Sequence, residues 1–136
     1  MTAAARFASH ALTTRFEDIS PEAVAAAKVF ILDSIGVGIA GSAVPGGDGL
    51  RRIAATWGAA QEAQVWGRAM RLSAPAAAFV NAWQMHNQEF DCLHEGAVVH
   101  ALASVLPAAL AAAERRGGVD GRGLIAAVAV GADIAA

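Results

Sequence analysis

The stretch SPEAVAAAKVFILDSIGVGIAG, residues 20–41, decides the fold. Ser20 can cap a helix, Pro21 has a φ angle that suits the first turn, and Glu22 suits the positive end of the helix dipole. Apolar residues then cover nearly every face, which predicts a buried central helix that runs to about Ala40. One stripe comprises Val24, Ala27, Ile31, Ile35 and Ile39, and Val29, Phe30, Leu32 and Val37 fill most of the rest.

Four residues of this helix carry more specific expectations. Gly36, Gly38 and Gly41 lower the helix propensity, which predicts that another helix approaches closely near the end of this one. An unpaired carboxylate is expensive to bury, so Asp33 is expected to have a partner.

The remaining chain is predicted to form further helices joined by loops. Helical patterns cover about residues 2–15, 50–58, 73–86 and 98–116, and Asp120 can cap a last helix. Residues 45–49 form a loop by composition, residues 63–66 suit a short extended piece, and residues 67–72 suit a turn. Pro107 is expected to kink or split the helix that contains it. The predicted fold class is all-α, a multi-helix bundle-like domain.

Composition narrows the function classes. A chain of 136 residues fits one domain, and its apolar fraction of 56% with no tyrosine favours packed, alanine-rich helices over strands. The net charge of −2 with no basic block argues against a nucleic-acid partner. Lys28, Asp33 and Pro107 interrupt the longest apolar runs, so no membrane span is expected. A single cysteine, Cys92, and no secretory signal favour a cytoplasmic location.

The polar segment HNQEFDCLHEGAVVH, residues 86–100, stands out between apolar helices. It holds three of the four histidines, three carboxylates, two amides and the only thiol. An imidazole titrates near neutrality and a neighbouring carboxylate can fix its tautomer, so His94 and His100 beside Glu89, Asp91 and Glu95 suit acid–base chemistry. For single residues, structural roles remain open: His86 and Cys92 can equally be packing residues, and Glu95 a solvated charge.

A metal site is the competing interpretation of this segment. Asp91 and His94 are three residues apart, and Glu95 and His100 are near in sequence. However, the chain has no His-Glu-x-x-His helix, no paired cysteines and no calcium loop, so no metal is predicted.

Three stretches together resemble the N-terminal helical domain of the MmgE/PrpD family. Residues 26–41 are similar to the family's K-x-x-x-L-D-[ST]-x-G-V-x-x-A-G helix. Residues 76–82 lead into His86 and the polar segment, and residues 100–114 carry Pro107 where the family has a proline after the histidine. The family includes 2-methylcitrate dehydratase, cis-aconitate decarboxylase and iminodisuccinate epimerase.

The family's polar motif, H-x-x-D-F-D-D-T-H followed shortly by H-P, is matched in part. Asp91, His94 and His100 match, Glu89 stands for the first Asp, and Leu93 for the Thr. Cys92 replaces the other Asp and Ala101 the Pro. The altered positions include ones that the family uses around its substrate, so the resemblance leaves the substrate open.

The resemblance implies a cofactor-independent lyase or epimerase that moves a proton next to a carboxylate of a small polycarboxylate. It also implies a homodimer and a second, α+β domain, so the chain is expected to be the front part of a longer protein and to be inactive alone. The alternative is a truncated, non-catalytic helical module that associates with itself or with a partner. The residues implied as catalytic are His100, Asp91, Glu89 and His94, and those implied as substrate-binding are His86 and Gln88.

Overall fold

A computed structural model describes all 136 residues as six α-helices and one small antiparallel sheet. The predicted all-α class is therefore confirmed. Two short 3-10 turns, Phe16–Asp18 and Ala55–Trp57, complete the regular structure. The elements are α1 (Ala3–Thr13), α2 (Pro21–Gly41), α3 (Gly47–Ala54), β1 (Ala63–Gln64), β2 (Arg71–Leu72), α4 (Ala74–His86), α5 (Ala101–Arg115) and α6 (Gly121–Ala135).

Two predicted helix starts are confirmed by their capping hydrogen bonds. The Ser20 hydroxyl accepts a hydrogen bond from the backbone N–H of Ala23 at 3.2 Å. The Asp120 carboxylate accepts one from the N–H of Gly123 at 2.7 Å. Each cap satisfies one of the donors that a helix N-terminus leaves without an intrahelical partner.

Other predicted boundaries were wrong by a few residues. The third helix begins at Gly47 rather than near Leu50, because Gly46 adopts a φ of +95° that turns the chain into the helix early. The region predicted as a turn contains β2, whose Leu72 pairs with Ala63 of β1. The polar segment continues to residue 100, so α5 starts at residue 101 and not near 98.

The helix α5 runs without interruption through Pro107, so the expected split of that helix is absent. Pro107 is fully buried within it. Close packing of α5 against α4 and α6 holds the helix together on both sides of the proline.

The prediction that α2 is buried all round was wrong. It packs on α4, α5 and α6 with one face only, formed by Ala27, Ser34, Val37, Gly38 and Gly41. The opposite face, which we call the open face, is formed by Val29, Leu32, Gly36 and Ile39. Val29 is 66% exposed, Leu32 75% and Ile39 49%.

Two further expectations about α2 change for the same reason. Asp33 is exposed, so water solvates its carboxylate and no partner is needed. The length and composition of α2 would allow it to cross a membrane, whereas no membrane span was expected from the sequence. Core helices of soluble proteins can have the same length and composition.

The glycines of α2 make the close helix contact at two of the three predicted positions. A Cβ atom at Gly41 would lie 1.8 Å from the backbone oxygen of Gln84, and one at Gly38 would lie 2.7 Å from the Trp66 ring. A Cβ at Gly36 would meet nothing within 4 Å, because Gly36 lies on the open face. Gly38 and Gly41 therefore let α2 approach α4 and the chain at Trp66.

Hydrogen bonds between buried polar groups join α2, α3 and α4. The Gln84 side chain donates to the backbone oxygen of Trp66 at 3.1 Å and accepts from the Arg51 guanidinium at 3.2 Å. Arg51 is 5% exposed and also donates to Asp48, whose pKa it lowers. Asn81 accepts from the N–H of Trp66 at 2.9 Å. These hydrogen bonds fix the position of α4 against its neighbours, and His86 is the last residue of α4.

Candidate functional site

The loop of residues 87–100, which we call the site loop, connects the end of α4 to the start of α5. The two helices pack against each other, so the residues at its two ends are neighbours in space. His86 is the last residue of α4 and His100 directly precedes α5. Their imidazole rings meet edge to face, with ring centroids 4.7 Å apart.

Asp91 lies between these two histidines. Its side chain is 1% exposed, and its carboxylate oxygens lie 3.1 Å from Nδ1 of His86 and 3.1 Å from Nδ1 of His100. A nearly dry carboxylate interacts with a positive charge far more strongly than one in water. Asp91 therefore favours an Nδ1–H on the His86 ring, with which it forms a hydrogen bond, and lies at ion-pair distance from the His100 ring.

The two histidines differ in how they contact Asp91. His86 forms a hydrogen bond with the carboxylate, whereas the approach of His100 is close in distance but does not have hydrogen-bond angles. His100 is also the better shielded of the two, with a side chain that is 27% exposed against 44% for His86. Its contact with Asp91 is therefore chiefly electrostatic.

Glu89 completes the cluster from the solvent side. Its carboxylate lies 3.5 Å from Nε2 of His86, and its side chain is 76% exposed. Glu89 has a φ of +54° and Val98 a φ of +51°, a backbone region that side-chain-bearing residues adopt at a cost of about 1–3 kcal/mol. Residues with such a backbone conformation concentrate at functional sites. At Glu89 this conformation accompanies a side chain that points back towards His86.

An open cleft of about 600 Å³ lies in front of the cluster. It is bounded by the C-terminal half of α4, the site loop and the first turn of α5. Its walls combine aromatic surface with imidazole, carboxylate and hydroxyl groups, and contain no lysine or arginine. The lining includes Phe79, Trp83, His86, Asn87, Glu89, His100 and Ser104.

A comparison with protein families matches residues 5–136 to the model described as the MmgE/PrpD N-terminal domain. The chain belongs to the MmgE/PrpD family. No curated protein matches it. The family match spans nearly the whole chain and agrees with the resemblance noted in the sequence.

In this MmgE/PrpD domain, His94 lies apart from the other histidines. Its backbone pairs with Val99 as a β-bridge, and its Nδ1 accepts a hydrogen bond from the N–H of Ala97 at 3.0 Å. His94 lines a second cavity of about 460 Å³, which also contains His10, Phe30 and Asp133. The structure thus brings together His86, Glu89, Asp91 and His100 but not His94.

The other polar residues of the segment lie around this cluster. Gln88 and Glu95 are exposed and are not among the residues that line the cleft. Cys92 is half-buried, and burial, followed by the charges of Asp91 and Asp33, raises the pKa of its thiol. A raised pKa leaves little thiolate at neutral pH, which agrees with a packing role for Cys92.

Two residues that shape the candidate site were not predicted from the sequence. Asn87 donates from its side chain to the backbone oxygen of Gly41 at 2.9 Å, and so joins α2 to the start of the site loop. Ser104 reaches the cleft from the first turn of α5. Phe79, Trp83 and His86 are three or four residues apart in α4, so they share one helix face, and all three line the cleft.

Proposed function

We propose that this chain supplies one wall of an active site that moves a proton at a carbon next to a carboxylate of a small polycarboxylate, without a cofactor. The observation that supports it best is the buried carboxylate of Asp91, 3.1 Å from Nδ1 of both His86 and His100. Membership of the MmgE/PrpD family agrees with this reaction class.

His100 is the main acid/base in this proposal. With Nδ1 turned to Asp91, its Nε2 is the nitrogen that can take a proton from substrate and return it. When the carbon–hydrogen bond breaks, its electron pair moves towards the substrate carboxylate, and the proton on His100 is balanced by Asp91. His86 and Glu89 lie beside His100 on the same wall of the cleft and contact the substrate there.

The same acid/base serves each of the family's reactions. After the carbon–hydrogen bond breaks, departure of a β-hydroxyl group with a proton as water completes a dehydration, and protonation on the opposite face completes an epimerisation. In a decarboxylation the bond to a carboxylate breaks instead, carbon dioxide leaves, and protonated His100 delivers its proton to the carbon that keeps the electron pair. The product therefore depends on which group the substrate carries at or beside the reacting carbon.

The charges in the cleft bear on what else the active site needs. A polycarboxylate needs cationic partners, yet the cleft is lined by no lysine or arginine and contains Glu89. We therefore propose that the cations come from an α+β domain, as the resemblance implies, and that the enzyme works as a homodimer. The exposed wall formed by His86 and Glu89 suits closure by another domain.

The test is His100→Ala in the product of the complete reading frame. Small di- and tricarboxylates are incubated in deuterated water, and loss of the carbon-bound proton is followed by NMR. We expect a decrease in exchange rate of about 10²–10⁴-fold, the range that general acid–base catalysis contributes. His94→Ala is the matched control, with a decrease below about tenfold expected because His94 lies outside the cleft. Undiminished exchange in folded His100→Ala would contradict the proposal.

A non-catalytic helical module is the second candidate, and the open face of α2 favours it. Val29, Leu32 and Ile39 expose a continuous apolar stripe, which a second copy of the chain could cover. The DNA after the codon for Ala136 separates the candidates at low cost. A frame that continues into an α+β domain supports the enzyme, whereas an immediate stop supports the module.

A further inference from the structure

We propose that His86, Glu89 and His100 bind Zn²⁺ at the wall of the cleft. One ligand atom from each of the three side chains lies within 4.8 Å of the other two. Tetrahedral zinc with nitrogen and oxygen ligands near 2 Å needs these atoms roughly 3.4 Å apart. The pair formed by His86 Nε2 and Glu89 Oε1 is already at 3.5 Å, so small side-chain rotations complete the site.

Asp91 gives this cluster the second shell that a zinc site requires. Zinc-bound histidines usually donate their other ring N–H to a carboxylate, which fixes the tautomer and the ring orientation. Asp91 faces Nδ1 of both imidazoles at 3.1 Å, which leaves Nε2 of each ring as the nitrogen with a free lone pair. One buried carboxylate therefore orients the His86 ring by a hydrogen bond and lies beside the His100 ring at the distance from which it can do the same.

Exposure and charge also suit a cation here. The side chains of Glu89 and His86 are 76% and 44% exposed, so both can adjust their positions without disturbing the core. The carboxylates of Glu89 and Asp91 together balance two positive charges, and the cleft is lined by no lysine or arginine that would repel the ion. The cleft also leaves room for a water or a substrate carboxylate as the fourth ligand.

The donor set favours zinc over the common alkaline-earth ions. Mg²⁺ and Ca²⁺ prefer oxygen ligands throughout, whereas two imidazoles and one carboxylate suit zinc. The sequence shows no familiar zinc motif because the ligands come from the end of α4, the site loop and the residue that precedes α5.

Zinc at this position would have a consequence for proton transfer. A lone pair on Nε2 of His100 cannot hold a metal ion and accept a proton at the same time. Zinc is therefore expected to inhibit the reaction, and this consequence, unlike the binding itself, rests on the proposed function.

The test is calorimetric titration of zinc chloride into the 136-residue chain in a non-chelating buffer. We expect one zinc ion per chain, and a loss of affinity of at least about tenfold in each of His86→Ala, Glu89→Gln and His100→Ala. His94→Ala and Cys92→Ser are matched controls, because they remove a histidine and a thiol of the same loop outside the cluster. We expect them to bind within about twofold of the unchanged chain.

Two further measurements separate a ligand role from a structural one. Co²⁺ in place of zinc is expected to give the visible absorption of a four-coordinate site, lost in His86→Ala while circular dichroism is unchanged. Asp91→Asn is expected to lower zinc affinity about 10–100-fold through the orientation of the two rings.

Specific outcomes would overturn the proposal. These are no zinc binding up to millimolar concentration, undiminished binding in the three ligand variants, or loss of binding in Cys92→Ser or His94→Ala. Zinc binding together with undiminished turnover in His100→Ala would leave the zinc site intact and remove the proposed function. Absent zinc binding with turnover that depends on His100 would do the reverse.

Discussion

The two faces of α2 are equally apolar in sequence but differ in what they contact. The packed face includes Gly38 and Gly41, and it meets α4 so closely that no side chain fits between the backbones at Gly41. On the open face Leu32 is 75% exposed, and a Cβ atom at Gly36 would meet nothing within 4 Å. The apolar composition of α2 allows either face to be buried, but the small residues Gly38 and Gly41 determine which face packs.

The packed face also determines where the candidate site lies. Gly41 accepts a hydrogen bond from Asn87 and contacts the backbone of Gln84, and these two residues flank His86 in the sequence. The contact therefore fixes the end of α4 from which the site loop departs. No residue of the open face lines the cleft.

The largest expected effect comes from placing a methyl group on the packed face. In Gly41→Ala the new Cβ would lie 1.8 Å from the backbone oxygen of Gln84, which cannot move like a flexible side chain. We expect a decrease in the free energy of unfolding of about 3 kcal/mol, measured by urea denaturation.

The matched control is Gly36→Ala in the same helix. Its Cβ meets nothing within 4 Å, so helix propensity alone predicts a gain of about 0.5–1 kcal/mol. Effects of the same sign and size in both variants would show that the two faces are not different.

Much of the fold could be predicted from local sequence, and its exceptions have physical causes. Ser20 and Asp120 predicted helix starts because capping is a contact between residues three apart. The choice of which face of α2 packs, and the burial of Arg51, could not be predicted from local sequence. Both depend on partners far along the chain, such as Gln84, which accepts a hydrogen bond from Arg51 and lies 33 residues away in the sequence. The predicted split of the helix at Pro107 does not occur, because packing outweighs the lost backbone hydrogen bond.

The candidate site was predictable as a segment but not as an arrangement. Its concentration of histidines and carboxylates was visible in the composition of residues 86–100. Which of them meet depends on the path of the site loop. The β-bridge between His94 and Val99 takes His94 to another cavity, while the antiparallel helices bring His86 and His100 together.

A smaller effect is expected from a charge on the open face. Burial of a leucine side chain contributes about 1.5–3 kcal/mol to the free energy of association. If a second copy of the chain covers the open face, Leu32→Glu should therefore weaken self-association at least about tenfold. We expect light scattering across a concentration series to show dimers of the unchanged chain and monomers of Leu32→Glu. Stability of the monomer should change by less than about 0.5 kcal/mol, because Leu32 is exposed there.

Gln61→Glu is the control for this experiment. It adds the same charge at an exposed position outside α2, and it should leave the dimers intact. Monomers in all three proteins would show that the open face does not associate with itself, and would count against the module as the function of this chain.

The smallest effect concerns the thiol of Cys92, which connects the charge of Asp33 on α2 with the site loop. Burial contributes most to its raised pKa, and the carboxylates of Asp91 and then Asp33 add to it. Because the thiolate is the reactive form, the pH at which alkylation by iodoacetamide becomes half-maximal should be higher in the folded chain than in 6 M guanidinium. Asp33→Asn should shift the folded midpoint towards lower pH and raise the rate at neutral pH by less than about twofold, since water and salt screen an exposed charge. Asp18→Asn should leave the profile unchanged. A folded midpoint at or below the unfolded one would mean that Cys92 is an activated thiol, and would place a nucleophile beside Asp91.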